Sequence, residues 1–89
     1  MSISGSVTVT NERGIHARPS SEIAKEALKY KSKVTINYDG KSANAKDVLQ
    51  IIILELFQGT TVQLIADGED EKVAYNAIKE LIEKEYKFD

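Results

Sequence analysis

The chain lacks cysteine and tryptophan, and its 89 residues include only one proline, one methionine and one histidine. The absence of cysteine excludes disulfide bonds, thiolate metal sites and cysteine nucleophiles. No stretch approaches the roughly 20 consecutive apolar residues of a membrane-spanning helix, and no basic start followed by an apolar segment resembles a signal peptide. We therefore expect a cytoplasmic protein without membrane insertion. It is expected to form one domain over residues 1–89, because so short a chain cannot divide into two cores.

Charge is distributed unevenly along the chain, although the formal net charge is only -2. Residues 1–46 contain eight Lys/Arg and four Asp/Glu, a balance of +4, whereas residues 47–89 contain four Lys and ten Asp/Glu, a balance of -6. The sequence pI of about 5.4 argues against a nucleic-acid partner, since nucleic-acid-binding domains usually have a pI above about 9. The basic first half suits an acidic protein or a phosphoryl group; the alternative interpretation is ordinary solvated charge.

Hydrophobic periodicity predicts seven secondary-structure elements in the order β-α-β-β-α-β-α. Alternating apolar and polar residues predict strands over residues 3–9 and 33–38. Residues 41–45 are expected to form the returning strand of a hairpin, and a run rich in strand-forming residues predicts a fourth strand over residues 60–66. Helical spacing predicts three helices, over residues 20–28, 48–57 and 73–82. Asp47 is the expected N-cap of the second helix and Gly59 its expected C-cap. Gly14 is expected at positive φ in the turn that follows the first strand, and Asp39-Gly40 predicts a hairpin.

This order of elements predicts an α+β domain with a four-stranded antiparallel sheet covered on one face by three helices. The other face of the sheet is expected to be in contact with water, because the outward positions of the first strand are serine and threonine. Two helices carry an apolar stripe that is expected to face the sheet. The stripe residues are Ile23, Ala24, Ala27 and Leu28 in the first helix, and Val73, Ala74, Ala77, Ile78, Leu81 and Ile82 in the last.

The single histidine, His16, directly precedes a predicted helix and is the strongest candidate for chemistry. If His16 is the N-cap, the backbone N–H groups of Ala17 and Arg18 have no partner within the helix. Pro19 is tolerated there because it has no N–H to satisfy. A neutral imidazole is a competent nucleophile near neutral pH. A phosphoryl group on its ring would be stabilised by the helix N-terminus and by the planar donors of Arg18.

Other chemistries have weaker support in the sequence. A metal site is not expected, because one histidine without cysteine leaves only carboxylates as further ligands. The chain has no G-x-S-x-G element for seryl hydrolysis and no Walker or G-x-G-x-x-G sequence for a nucleotide. The order of elements is also compatible with the RNA-recognition fold, but the aromatic strand motif of that fold is missing.

The run Gly14-Ile15-His16-Ala17-Arg18-Pro19 resembles the active-site signature of the HPr family, the histidine-containing phosphocarriers of the bacterial phosphotransferase system. The resemblance extends over nearly the whole chain and includes the length, the order of elements, Asp39-Gly40-Lys41, Lys46, Gln58-Gly59 and the run Gly68-Glu69-Asp70-Glu71. It implies an open-faced β-sandwich and a monomer that needs no cofactor.

The resemblance also implies a reaction. In the HPr family the histidine receives a phosphoryl group from phospho-enzyme I, which is charged by phosphoenolpyruvate, and passes it to an enzyme IIA domain. His16 matches the residue that is phosphorylated, through Nδ1, and Arg18 matches the arginine beside it. The protein is therefore expected to be a phosphoryl carrier with a phosphohistidine intermediate and not an enzyme.

The chain departs from the family pattern at three places. Ser20 stands where alanine is usual, and Asp47 stands where many members have a serine that a regulatory kinase phosphorylates. Residues 50–57 lack the usual glycines and methionine, which makes them more similar to the nitrogen-regulatory branch. One alternative function is thus a regulatory homologue of that branch that acts by phosphorylation-dependent protein binding. Another is an interaction module in which His16 is only a structural cap.

The second predicted helix has more apolar residues than one buried stripe requires, since eight of the ten residues 48–57 are apolar. Ile51 and Leu54 are expected to face the sheet. The resemblance places Val48, Leu49 and Ile52 beside the active histidine, so they are expected to form, with Ser20, a surface for partner docking. The alternative is that these side chains contact the neighbouring helices.

Overall fold

Four antiparallel strands form one sheet in the computed structural model, which describes residues 2–11, 14–15 and 17–84. The spatial order of the strands is β1-β4-β2-β3, so the first and third strands in sequence lie at the edges. The strands are β1 (Ser2–Thr8), β2 (Lys33–Tyr38), β3 (Lys41–Asn44) and β4 (Thr61–Asp67). The helices are α1 (Ala17–Ala27), α2 (Val48–Ile53) and α3 (Glu71–Glu83). The predicted order of elements and the predicted α+β open-faced β-sandwich are confirmed.

The register of the strands separates an apolar face from a polar one. Val7 pairs with Val62, and Ile36 pairs with Leu64, and all four side chains are buried beneath the helices. On the opposite face the hydroxyls of Thr8 and Thr61 lie 3.0 Å apart in solvent. The predicted exposed polar face is therefore confirmed, as the two-residue period of a half-buried strand requires.

The helices contact the sheet through stripes that are narrower than the sequence suggested. The buried stripe residues are Ile23, Ala24 and Ala27 of α1 and Ala74, Ile78 and Ile82 of α3. Leu28 and Val73 were expected on these stripes, and that expectation was wrong, because they are 66% and 60% exposed. Leu28 lies beyond the last residue of α1, and Val73 is rotated about 100° around α3 from the buried Ala74.

Helix α2 is much shorter than the predicted ten residues. It ends at Ile53, with Leu54 as its C-cap, and Glu55 follows with a φ of 53°. This left-handed residue interrupts the helical hydrogen bonds, so the predictions that the helix extends to residue 57 and that Gly59 is its C-cap were wrong. Gly59 instead lies in the next turn, where its N–H donates to the carbonyl of Val9 over 2.8 Å. Within the described ranges, no helix is long and apolar enough to span a membrane.

The turn between α1 and β2 is attached to the start of α3 by Asp70. The Asp70 carboxylate accepts hydrogen bonds from the backbone N–H groups of Lys31 and Ser32, at 3.0 and 2.9 Å, and from the Ser32 hydroxyl. The Ser32 hydroxyl, followed by the Lys31 amide, lowers the pKa of Asp70 from 3.8 to about 2. Hydrogen bonds to the charged form thus couple this contact to pH.

We expect the stability contributed by Asp70 to be present above pH 3.8 and to be lost as the pH falls towards about 2. Urea unfolding of the wild type and of Asp70→Asn between pH 5 and pH 2 measures this. The wild type is expected to be the more stable protein at pH 5, and the difference is expected to vanish near pH 2. Glu69→Gln is the control, because its pair with Lys31 is exposed and such pairs contribute little. Parallel pH curves for Asp70→Asn and the wild type would contradict the assignment.

Candidate functional site

The loop between β1 and α1 is closed by its own hydrogen bonds. The backbone N–H of Gly14 donates to the carbonyl of Asn11 over 2.8 Å. The side-chain amide of Asn11 donates to the carbonyl of Gly14, also over 2.8 Å. Asn11 is fully buried, so breaking this reciprocal pair would leave buried polar groups unsatisfied. Asn11 and Gly14 are therefore held together by two hydrogen bonds.

The same loop is attached to the segment that follows α2. The N–H of Ile15 donates to the carbonyl of Leu56 over 2.8 Å, and both side chains are buried. Gly14 has a φ of 74°, which confirms its predicted conformation. A Cβ on Gly14 would lie 2.2 Å from the Leu56 carbonyl oxygen and 3.0 Å from the Cα of Phe57. Glycine is thus required both for the backbone angle and for this close approach.

Two further contacts extend the attachment to the end of β1. The N–H of Val9 donates to the carbonyl of Thr60 over 2.8 Å, and the Gln58 side chain donates to the carbonyl of Thr10 over 3.2 Å. We use the name platform for residues 56–60, because Leu56, Gln58, Gly59 and Thr60 make these contacts with residues 9–15. The platform was not predicted, because residues 56 and 57 were assigned to a helix. Its close approach to Gly14 is visible only in the fold.

His16 itself lies outside the described residues, so its role as N-cap remains a prediction. Helix α1 begins at Ala17, three residues earlier than predicted, so Ala17, Arg18 and Pro19 form its first turn. The first N–H groups of any α-helix have no partner within the helix, and that arrangement is suited to an anion. Pro19 is buried in this turn, where its missing N–H removes no helical hydrogen bond.

The Arg18 side chain is exposed and lies along the surface of α1. Its Nε is 3.5 Å from a carboxylate oxygen of Glu22, one turn further along the helix, and 58% of the Arg18 side chain is exposed. Exposed pairs of this kind contribute about 0–1 kcal/mol. The pair with Glu22 therefore contributes little to holding the guanidinium in place.

Asp47 caps α2 as predicted. Its carboxylate accepts hydrogen bonds from the N–H groups of Leu49 and Gln50, at 3.0 and 3.3 Å. The preceding residue, Lys46, donates from Nζ to the carbonyl of Tyr30 over 2.9 Å. A surface groove between α1 and the start of α2 is lined by residues that include Arg18, Lys25, Leu28, Lys46 and Val48. Cationic and apolar groups thus meet next to the first turn of α1.

The residues that were expected to contact partners differ in their exposure. Leu49 is 70% exposed, whereas Val48 and Ile52 are half-buried. Ile51 and Leu54 are buried, which confirms their predicted place in the core. The structure adds two exposed apolar residues that the sequence analysis did not single out, Ile53 and Phe57, at 66% and 67% exposure.

Ser20 does not belong to a docking surface, and that prediction was wrong. Its relative exposure is 0%, because position 20 lies three and four residues before the buried Ile23 and Ala24 and therefore on the same face of α1. Among the described residues its hydroxyl has no hydrogen-bond partner. A side chain without solvent exposure cannot contact a partner protein while the fold is intact.

The comparison with known families agrees with this geometry. The family model described as "PTS HPr component phosphorylation site" matches residues 3–84. The chain belongs to the HPr family. The phosphocarrier protein HPr of Buchnera aphidicola is 47% identical over 68 residues, which cover 76% of this chain and 80% of that protein. The HPr of Xylella fastidiosa (strain Temecula1) is 36% identical over 83 residues and 93% of each chain.

The fold agrees with solved HPr structures as well. The crystal structure of HPr from Bacillus anthracis superimposes with a TM-score of 0.88 at 27% identity, covering 92% of this chain and 98% of that one. HPr proteins are phosphocarriers of the phosphotransferase system and not catalytic enzymes, so the family membership favours a carrier over the RNA-binding alternative. Among the residues that the structure describes, no group of three or more His, Cys, Asp or Glu is arranged to hold a metal ion.

Replacement of Gly14 by alanine tests the close approach to the platform. The matched control is Gly40→Ala, because Gly40 has nearly the same φ, 77°, but no atom within 4 Å of an added Cβ. Gly40→Ala is expected to lose about 1–2 kcal/mol of unfolding free energy from the backbone conformation alone. Gly14→Ala is expected to lose about 1–3 kcal/mol more, since the added methyl overlaps Leu56. Equal losses in urea unfolding would show that the loop does not rest on the platform.

Proposed function

We propose that the protein accepts a phosphoryl group from phospho-enzyme I on Nδ1 of His16 and donates it to an enzyme IIA domain. The observation that carries this proposal is the fixed conformation of Gly14 and Ile15 immediately before the histidine. In the chain, Gly14 and Ile15 directly precede position 16, and the first turn of α1 directly follows it. The backbone that flanks position 16 is thus fixed on both sides.

The chemistry follows from a neutral imidazole beside a helix N-terminus. The lone pair of Nδ1 attacks phosphorus, the bond from phosphorus to the donor breaks, and its electron pair leaves with the donor. The product carries about two negative charges beside the N–H groups of Ala17 and Arg18, where the helix dipole stabilises them. The guanidinium of Arg18 provides planar donors for the phosphoryl oxygens as they move.

A carrier must also release the group, and the exposure of Arg18 supports this requirement. Arg18 pairs with Glu22 when no phosphoryl group is present, so the arginine has an alternative partner after transfer. Because Arg18 can contact either Glu22 or the phosphoryl group, we expect the phosphoryl group to be bound and still able to leave. The same reasoning disfavours a deep pocket, which would exclude the active site of the next protein.

We propose Val48, Leu49 and Ile52 as the apolar centre of the docking surface, with Arg18 and Lys46 at its charged rim. Leu49 is the strongest of the three because 70% of it is exposed although it is a large apolar residue. Val48 lies in the groove with Arg18 and Lys46. An apolar centre with a cationic rim suits a partner surface of matching apolar shape and acidic rim.

Asp47 fixes a negative charge at a position where the family resemblance implies a serine that can be phosphorylated. Its carboxylate already accepts two helical N–H groups. Regulation by a serine kinase at position 47 is therefore not available to this chain. Membership of the nitrogen-regulatory branch and a monomeric state remain predictions.

Phosphorylation in vitro tests the proposed carrier function directly. With phosphoenolpyruvate and enzyme I, the wild type is expected to gain the mass of one phosphoryl group, lost in acid and retained in base as for a phosphoramidate. His16→Ala is expected to gain none while its far-ultraviolet spectrum and melting temperature stay close to those of the wild type. Arg18→Ala is expected to fold normally and to accept the group more slowly.

An acid-labile phosphoryl group on His16→Ala would contradict the proposal. A wild type that remains unmodified would favour the interaction module, in which His16 is only a cap. Acceptance from enzyme I without donation to any enzyme IIA domain would favour the regulatory homologue.

A further inference from the structure

Glu55, next to the platform, adopts a backbone conformation that is unfavourable for its residue type. Its φ of 53° lies in the left-handed region, which a residue with a Cβ enters at a cost that glycine avoids. The other non-glycine residue of the described ranges with positive φ is Asp39, where the hairpin turn before Gly40 requires it. Glu55 instead directly follows a helix C-cap, where glycine or asparagine is the usual residue. The glutamate is therefore present at some loss of stability.

Within residues 2–11, 14–15 and 17–84, no side-chain interaction of Glu55 compensates for this loss. Glu55 is exposed, and in the part of the chain that the structure describes its carboxylate makes no hydrogen bond or ion pair. Two other acidic side chains near the site are engaged, since Glu22 pairs with Arg18 and Asp47 caps α2. The end of α2 also disfavours an anion, because the last carbonyl groups of a helix carry partial negative charge. A backbone strain and an uncommitted charge at one position point to a role outside the fold.

The location of Glu55 connects that charge to phosphoryl transfer. Its neighbour Leu56 accepts the hydrogen bond from Ile15, and consecutive Cα atoms are about 3.8 Å apart. A protein that docks against the chain beside Ile15 therefore also lies close to Glu55. On the other side of Leu56, Phe57 is 67% exposed and offers an apolar contact next to the charge.

The two ends of α2 differ in charge, because the cations at its start lie beside the acidic residues Glu22 and Asp47, whereas Glu55 at its end has no cation paired with it among the described residues. Lys46 and Arg18 lie in the groove at the start of the helix, and Glu55 follows its end. A helix of six residues is about 9 Å long, so one partner surface can meet both ends at once. A wholly acidic partner surface would be repelled at Glu55, and a partner with a basic group at that place would be attracted.

We propose that Glu55 is a specificity determinant of phosphoryl exchange, whose carboxylate selects an enzyme I that presents a basic side chain opposite the end of α2. This inference rests on the proposed carrier function. Complementary charge at the rim of an interface raises the association rate and suppresses wrong partners more than it adds affinity. Glu55 therefore acts on the choice of partner and not on the chemical step at His16.

The test measures phosphoryl acceptance from the phospho-enzyme I of the same organism by three variants. Glu55→Gln removes the charge, Glu55→Lys reverses it, and Glu55→Gly removes both the charge and the strain. Glu55→Gln is expected to raise KM by about 3-fold, the size of one exposed charge pair, with kcat unchanged. Glu55→Lys is expected to lower kcat/KM by about 10-fold or more. Glu55→Gly is expected to raise both the melting temperature and KM.

Salt dependence separates a charge effect from a structural one. The differences in KM are expected at an ionic strength of about 0.01 M, where the Debye length is about 30 Å, and are expected to shrink at 0.15 M, where it is about 8 Å. The matched control is Glu80→Gln, an exposed glutamate on α3, which is expected to leave KM unchanged. Leu49→Ala, in the proposed docking surface, is expected to raise KM equally at both salt concentrations.

The outcomes distinguish this inference from the carrier function. Glu55→Lys that accepts the group as fast as the wild type at low salt would overturn the role of Glu55 and leave the carrier function standing. A lower melting temperature of Glu55→Gly would show that the carboxylate is structural and would also overturn it. A wild type that accepts no phosphoryl group would remove the carrier function, and the inference with it.

Discussion

The hydrogen bond from the Ile15 N–H to the Leu56 carbonyl is the contact on which the site depends. It joins the loop before His16 to the platform and spans 41 positions of sequence at a distance of 2.8 Å. The bond forms only because Gly14 brings the two backbones into contact, since a Cβ there would overlap the Leu56 oxygen at 2.2 Å. The short α2 has the same origin, because the helix must end before Leu56 for that carbonyl to turn towards the loop.

This arrangement suits a protein that transfers a group between larger partners. Asn11, Ile15 and Leu56 are buried in the protein, while Arg18 and Leu49 remain exposed. A loop that is already ordered loses less entropy when a partner docks. The exposure of Arg18 and Leu49 allows different partners to dock at the same surface in turn. The apolar face of the sheet gives the rigid support, and the polar face has no part in the site.

Much of the fold could be predicted from the sequence because local rules and tertiary packing agree. The strand alternation around Val34 and Ile36 and the hairpin at Asp39-Gly40 are examples, as is the Asp47 cap. The helix predicted over residues 48–57 was too long, because a run of apolar residues is compatible with an irregular segment as well as with a helix. Only the contact with Gly14, distant in sequence, decides that residues 55–57 leave the helix. Ser20 is a different case, since its place on the buried face of α1 follows from its spacing to Ile23 and Ala24 and could have been predicted.

In the site, too, the features set by neighbouring residues could be predicted and those set by distant contacts could not. The signature around His16 predicts the chemistry, and the family comparison confirms the type of protein, because those residues are adjacent in the chain. The platform and the location of Glu55 next to it could not be predicted in this way, since both depend on contacts between residues that are distant in sequence. A cost in backbone energy, such as the positive φ of Glu55, becomes visible only in three dimensions.

Amide hydrogen exchange at Ile15 tests most directly whether the platform holds the loop. If the Leu56 bond is a stable part of the fold, the Ile15 amide opens only with the core, and its protection matches that of amides in the central strands β2 and β4. The exposed amides of the hairpin at residues 39–40 provide the unprotected reference in the same experiment. Exchange of the Ile15 amide at the rate of that hairpin would contradict the account, because the loop would then be free of the platform.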